Sequence, residues 1–322
     1  DMAVTLAQAK LKTQDKLSMA VIDEFRKSSF LMDHMIFDDC VSPVGSGATM
    51  TYGYYRVITP STASFRAVNA EYTADEAKKQ KYTTDIKIFG GAFEIDRVIA
   101  DMGGVDDEVT FQMQQKIKSA SALFSETLII GDSRKNEKSF DGLDVAVTGS
   151  STEYKPSAAI DLSTTAKVTE NYQLFLDQLD EFLMGLDGKP DFIGGNLKLI
   201  AKIRACARRA GMYQVTKNDF GQQIESYGDI PLVDFGAKSG SNDPIVSIDT
   251  ASGTKGETSL YAARIGLDGF HAVSPSGGLP VKQWLPKFEE AGAVKKGEVE
   301  MLATAALKAT KAAGIMRKIK VQ

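Results

Sequence analysis

The chain has 322 residues, 43% of them hydrophobic and 25% charged, and 38 Lys and Arg against 42 Asp and Glu give a formal net charge of −4. That balance excludes a disordered or collagenous chain, and it lacks the basic excess of a dedicated nucleic-acid binder. At roughly 150 residues per domain, the length predicts about two domains, or one domain with large excursions.

From Val4 to Phe30 the spacing of Leu6, Leu11, Leu17, Val21 and Phe25, with Lys10, Lys12 and Lys16 between them, predicts an amphipathic helical arm. A Gly-, Ser- and Pro-rich linker, Cys40 to Thr49, follows, and Met50 to Ile58 reads as a strand. Another strand-like run surrounds Phe65 to Val68, a charged tip occupies residues 71 to 81, and an alternating segment returns from Tyr82 to Ile95. Two strand-like stretches joined by a polar tip predict an extended hairpin, or flap, too hydrophilic at its end to join a core. Residues 105 to 130 carry the clearest helix. There Val109, Met113, Ile117, Ala120, Phe124 and Leu128 recur at spacings of three and four, acids lie at the N-terminus, and Gly131 stops the helix. Residues 144 to 168 look like loops and edge strands. Asn171 to Met184 and Gly195 to Gly211 read as helices flanking an Asp191-Phe192-Ile193 strand. From Ile230 onward short strands alternate with turns, and Val299 to Val321 is an Ala-rich run ending in a basic tail, Arg317, Lys318 and Lys320. The fold class is α+β.

Motifs for chemistry are few. Cys40 and Cys206 sit in no Cys-x-x-Cys spacing, so the sequence indicates neither a disulfide framework nor a zinc site, and both read as reduced thiols. No apolar run approaches the roughly 18 residues of a membrane span, which predicts a soluble intracellular chain with no membrane partner. His34 and His271 are the two histidines. His271, Ser274 and Asp268 make a triad only on paper, without a Gly-x-Ser-x-Gly elbow, so no catalytic residue is named. Gly45-Ser46-Gly47 lacks the Lys-Ser or Lys-Thr of a phosphate loop and reads as a linker. Asp132, Asn136 and Asp141 lack the spacing of a calcium loop and read as a capped turn after a helix, so neither metal nor cofactor is expected. The basic groups Lys78, Lys79 and Lys81, Arg204, Arg208 and Arg209, and the terminal tail are short and read as surface or subunit-pairing charges.

The order of parts, and above all ETLIIGDSRKNEKSFDGL at residues 126 to 143, resembles the major capsid protein family of tailed bacteriophages. That family has a helix ending in an acid, an apolar run, Asn-Gly-Asp-Gly and a short loop to Gly-Ile or Gly-Leu; here Ile130 and Ser133 stand at two of those positions. The segment VNAEYTADEAKKQKYTTDIKIFGGAFEIDRVIAD resembles the family's hairpin and return strand. The resemblance implies the Hong Kong 97 phage capsid fold. It divides the chain into an N-terminal arm and linker (1–50), an extended β-hairpin loop with flanking peripheral-domain strands (51–95), and a peripheral-domain spine helix (96–142). An axial domain (143–271), a peripheral-domain return (272–312) and a C-terminal strand or tail (313–322) follow. It further implies self-assembly into hexamers and pentamers of an icosahedral head around double-stranded DNA, held by weak non-specific contact. Portal, scaffolding and cementing proteins would be partners, in a virion assembled in the host bacterial cytoplasm. The residues expected to meet neighbouring subunits are Lys10, Lys12, Lys16, Phe65, Arg66, Glu71, Asp75, Glu76, Lys78, Lys79 and Lys81. The same shell fold serves encapsulin nanocompartments, the second reading, and a stand-alone hydrolase is the third. Some relatives join a flap lysine to an asparagine of a neighbour. No asparagine follows Asn242 here, so a shell without covalent links is expected.

Overall fold

A computed structural model describes residues 30–41, 47, 49–102, 107–212, 214–217, 223–276 and 281–322. The arm with Lys10, Lys12 and Lys16, most of the Gly-rich linker, and residues 103–106 lie outside the described residues. Two sheets organise the remainder. A five-stranded sheet is built on the long strand Val294–Leu307, which pairs antiparallel with Lys87–Asp96 along one edge. Along the other edge it pairs with Val281–Trp284 and Phe270–Ser274, the latter running parallel to Phe37–Asp39. An eight-stranded sheet runs from Glu153–Tyr154 through Ala313–Lys320, Glu257–Ala263, Phe192–Gly195, Ile230–Asp234 and Gln223–Tyr227 to Gln214–Lys217, and Ile160–Asp161 also joins Ala313–Lys320.

The spine helix forms as its periodicity predicts, over Glu108–Ile130, with the Asp107 side chain capping the Val109 N–H. Its apolar stripe, Met113, Ala120, Phe124 and Leu128, is buried. Phe124 stacks on Phe89 of the five-stranded sheet, ring centroids 5.5 Å apart. Gly131 ends the helix, and the chain returns at Gly142, whose N–H donates to the Gly131 carbonyl at 2.9 Å. A Cβ on Gly142 would lie 2.4 Å from the Thr127 carbonyl oxygen, so this crossing admits only glycine. Between the two glycines Asp141 accepts the Ser133 N–H and Asp132 accepts the Arg134 N–H, which makes this loop a self-capped turn.

Two helices, Thr165–Met184 and Leu197–Arg209, cover the larger sheet and bury Phe175, Leu179, Leu199 and Ile203 against Leu260, Met316 and Ile319. The first begins six residues before the predicted Asn171, because Thr164 caps it by accepting the Lys167 N–H. A second core joins both sheets, with Phe124, Leu128 and Ile129 of the spine meeting Phe192, Phe235, Tyr261 and Ile315. The two sheets therefore share one continuous interior.

Two expectations are corrected. The Phe65 to Val68 run forms no strand. The flap strands are Thr51–Thr59 and Lys78–Asp85, and residues 60–77 form an 18-residue irregular tip, too polar and too exposed to pair. The basic end of the chain is no surface tail: Ile315, Met316 and Ile319 are fully buried in an interior strand. Within that strand Lys318 sits at φ 59, at a bulge where the register against Thr258 and Leu260 shifts. Relieving that left-handed strain is worth about 1–2 kcal/mol, more than the roughly 0.5–1 kcal/mol of chain entropy that glycine costs. Lys318→Gly should therefore raise the unfolding free energy by about 0.5–1 kcal/mol in chemical denaturation. Lys318→Ala, which removes the charge and keeps the strain, should not.

Candidate functional site

Among the described elements the flap stands out for its exposure. Its two strands pair from Thr51↔Asp85 to Thr59↔Lys78. Alternation along them puts Tyr52, Tyr54, Arg56, Tyr82 and Thr84 on one half-buried face, and Gly53, Tyr55, Val57, Lys79, Lys81 and Thr83 on the exposed one.

The half-buried face fastens the root to the five-stranded sheet. Tyr52 donates its hydroxyl hydrogen to Asp38 at 2.5 Å, and Lys308 Nζ lies 3.7 Å from the same carboxylate. Tyr54 donates to the Leu307 carbonyl at 3.1 Å. The Arg56 guanidinium donates to the Leu307 and Lys308 carbonyls at 2.6 and 2.9 Å, and stacks over Tyr82 at 4.5 Å. Thr84 and Thr304 hydroxyls meet at 2.9 Å. Ile86, Val273, Ala306 and Cys40 close the apolar side of this root. Burial and the Asp38 carboxylate push the Tyr52 phenol well above its ordinary range. Burial would raise Asp38, but the Tyr52 hydroxyl, the Asp39 N–H and Lys308 outweigh it and hold it below the usual carboxylate range. The root is thus a phenol–carboxylate–ammonium clasp drawn from three distant segments.

Beyond the root every residue from Val57 to Lys81 is exposed. Phe65 is fully exposed, Val68 is 87% exposed and Tyr72 62%. Lys78, Lys79 and Lys81, expected at the tip, stand instead in the return strand, because pairing with Thr59, Val57 and Tyr55 extends the hairpin four residues further than composition suggested. Lys79 lies over the Tyr55 ring at 5.2 Å, and the Lys81 stem crosses Gly53. Within the tip, Asp75 accepts both the N–H and the hydroxyl of Thr62, at 2.5 and 2.8 Å, which lowers its carboxyl below the usual range. Asp75 therefore shapes the tip's own loop. Arg66 lies over Tyr72 at 5.3 Å, and Glu71 and Glu76 are exposed.

The triad of His271, Ser274 and Asp268 does not assemble. Asp268 pairs with Arg264 at 2.8 Å, whereas His271 Nδ1 bonds the Ala272 carbonyl. Among the described residues, no group of three His, Cys, Asp or Glu could hold a metal ion. Both cysteines are buried, and burial pushes the Cys206 thiol up to about 11. Three cations of the Leu197–Arg209 helix serve their own fold: Arg204 pairs with Glu225 at 2.6 Å, Lys202 donates to the Ser163 carbonyl and Arg209 donates to Thr169, while Arg208 is exposed. The root residues Tyr52, Arg56, His271 and Lys308 escaped sequence reasoning. The period of two through Tyr52, Tyr54 and Arg56 signalled a common face, but nothing in the sequence placed residues 307–308 beneath it.

No family model and no curated protein matches the sequence. Solved structures do match over the whole chain. The holo-SrpI encapsulin complex from Synechococcus elongatus has a TM-score of 0.63 at 15% identity, covering 100% of this chain and 98% of that one. The capsid of a native GTA particle has a TM-score of 0.60 at 11% identity, covering 99% of each chain. The Mycobacterium phage Bobi structure has a TM-score of 0.59 at 10% identity, covering 98% and 99%. These matches define the class as an α+β fold shared with an encapsulin and with phage-type capsids. In particular, the chain has the Hong Kong 97 phage capsid fold, as the sequence resemblance implied. Among the described residues no helix is long and apolar enough to cross a membrane.

Proposed function

We propose that this chain is the major capsid protein of a tailed bacteriophage, a structural subunit that assembles into hexamers and pentamers of an icosahedral head. The flap carries this reading. A hairpin pinned at its root and bare beyond it, with Phe65, Val68 and Tyr72 in water, has the surface of an element completed by a neighbour. On this reading the five-stranded sheet and spine helix are the peripheral domain, the larger sheet and its two helices are the axial domain, and Phe65, Arg66, Glu71, Glu76, Lys78, Lys79 and Lys81 meet a second copy. Double-stranded DNA is held by weak non-specific contact, with portal, scaffolding and cementing proteins as partners in the virion. Electron microscopy of the purified chain should reveal closed particles tens of nanometres across; a persistent monomer or dimer would overturn the reading.

A second reading, an encapsulin-like nanocompartment, draws support from the match to the SrpI encapsulin over the full chain. The contents of particles from the native source discriminate: nuclease-protected double-stranded DNA favours the head, a packaged protein the compartment.

The shell is expected to hold without covalent links. An amide bond from a flap lysine needs a side-chain amide that can lose ammonia, and the segment KFEEAGAVKKGEVE, residues 287 to 300, offers only carboxylates. Particles boiled in denaturant should run as one band near 34.8 kDa. A ladder that survives reductant would refute this.

A further inference from the structure

His271 is fully buried beneath the flap root. Its Nδ1 lies 2.9 Å from the Ala272 carbonyl oxygen, which can only accept, so Nδ1 carries the hydrogen and Nε2 presents a lone pair. Nε2 is sealed from solvent with no hydrogen-bond partner. The ring meets Tyr52 edge to face, centroids 5.7 Å apart. The groups around it come from three elements: Asp38 from the short first strand, Tyr52 from the flap, and Lys308 from the end of the long strand, with Tyr54 and Arg56 next along the flap. Cys40, Val273 and Ala306 fill the apolar remainder of the root.

We propose that His271 is a proton-operated catch for the flap: neutral, it seats Tyr52 and keeps the root closed, and protonated at Nε2 it releases the root. A proton taken from water onto Nε2 puts a second cation beside Lys308 and creates a buried N–H with no acceptor, a costly state in a closed apolar pocket. Lifting Tyr52 lets that N–H reach water, and the same motion breaks the Tyr52–Asp38 bond and frees the hairpin. Burial holds the ring's pKa below its ordinary 6.5, opposed by the Ala272 carbonyl; Lys308 lowers it further and Asp38 raises it. An opened root takes up its proton near 6.5, and the closed root only at lower pH. The closed state is therefore favoured in full above 6.5 and loses stability as pH falls from there through the depressed value. Only the consequence of release for a shell rests on the function proposed above; the catch itself does not.

Hydrogen–deuterium exchange on the full chain, corrected for intrinsic rates, tests this between about pH 7.5 and about pH 5. Amides of 51–59 and 78–85 should lose protection by up to about tenfold per pH unit within the window, while the spine helix stays protected. His271→Gln should flatten that response, and Lys308→Met, which removes the competing cation and so raises the closed-state value toward 6.5, should leave its onset in place, end it at a higher pH and make it smaller. Flap protection that is flat in the wild type, an unchanged response in His271→Gln, or a response of full size in Lys308→Met would each overturn the proposal. Should His271→Gln not fold, the wild-type profile and Lys308→Met decide alone. Particle formation, followed separately by light scattering at neutral pH, reports on the shell reading, so either idea can fail without the other.

Discussion

On the shell reading, replacing residues 60–77 by Asn-Gly is expected to leave a folded subunit that no longer closes into particles. Thr59 and Lys78 are already paired, so a two-residue type I′ turn can join them without disturbing the strands below. All 18 removed residues are exposed, and the root contacts of Tyr52, Tyr54, Arg56 and Thr84 remain, so the melting temperature of the subunit should hardly move. Assembly should change far more. Burying a side chain such as Phe65 in a neighbour is worth about 1.5–3 kcal/mol, tenfold or more in an association constant, and a shell repeats that contact in every subunit. Particle yield measured by sedimentation should fall at least tenfold, and normal yield with normal particle stability would sink the role given to the tip. The single change Phe65→Asp should go in the same direction.

The parts of this fold legible in sequence are those whose burial is one-sided. Spine positions Met113, Ala120, Phe124 and Leu128 repeat at the helical period because one stripe faces the sheet and the rest faces polar surroundings, and Asp107 and Gly131 mark its two ends. The stretch from Ala303 to Met316 has no such contrast. Residues 303–307 and 313–316 lie in two strands of two different sheets and are buried on both faces, so neither alternation nor period appears there, and the short 3-10 turn Thr310–Ala312 that carries the chain from one sheet to the other leaves no mark in composition. The flap shows both cases. Its existence was written in a tyrosine-rich strand and a hydrophilic tip. The position of Lys78, Lys79 and Lys81 was not, because polar strands on an exposed face look like loop until their pairing partners are known. The root was least legible of all. Asp38, Tyr52, His271 and Lys308 come from four segments, and only the closing of the sheet brings them together.

Arg317→Ala is expected to cost more stability than any surface change in this chain, although its place near the C-terminus and beside Lys318 and Lys320 suggested a tail cation. The guanidinium donates to Glu153 at 2.6 Å, to Asp144 at 2.9 Å and to the Thr148 hydroxyl at 2.8 Å, and Tyr261 donates to the same Asp144 oxygen at 3.0 Å. One side chain thereby ties an interior strand to the helix Leu143–Val147 and to the loop after it. Removing it takes a cation from a Glu153 carboxylate that is only 5% exposed, leaving Lys155 and the Gly149 N–H as its partners. Breaking a buried pair costs about 3–5 kcal/mol, and because Asp144 and the arginine are partly exposed we place the loss near the lower end, about 3 kcal/mol. Scaled to 322 residues, at about 1.5 °C per kcal/mol, that loss lowers the melting temperature by roughly 4–5 °C. Arg317→Lys should recover only a fraction, since an ammonium cannot reach three acceptors in the plane that the guanidinium spans. The pH dependence gives a sharper signature. Burial alone would raise the Glu153 carboxyl, but the Gly149 N–H, Arg317 and Lys155 hold it below its ordinary 4.5. Its contribution is fully present above 4.5 and is lost as pH falls through the lower folded-state value, so the gap between wild type and Arg317→Ala should be constant near neutrality and should narrow in acid below 4.5. A gap that stays the same down to full protonation of the carboxyls would show that packing of the arginine stem, and not its charge, is what holds the strand in place.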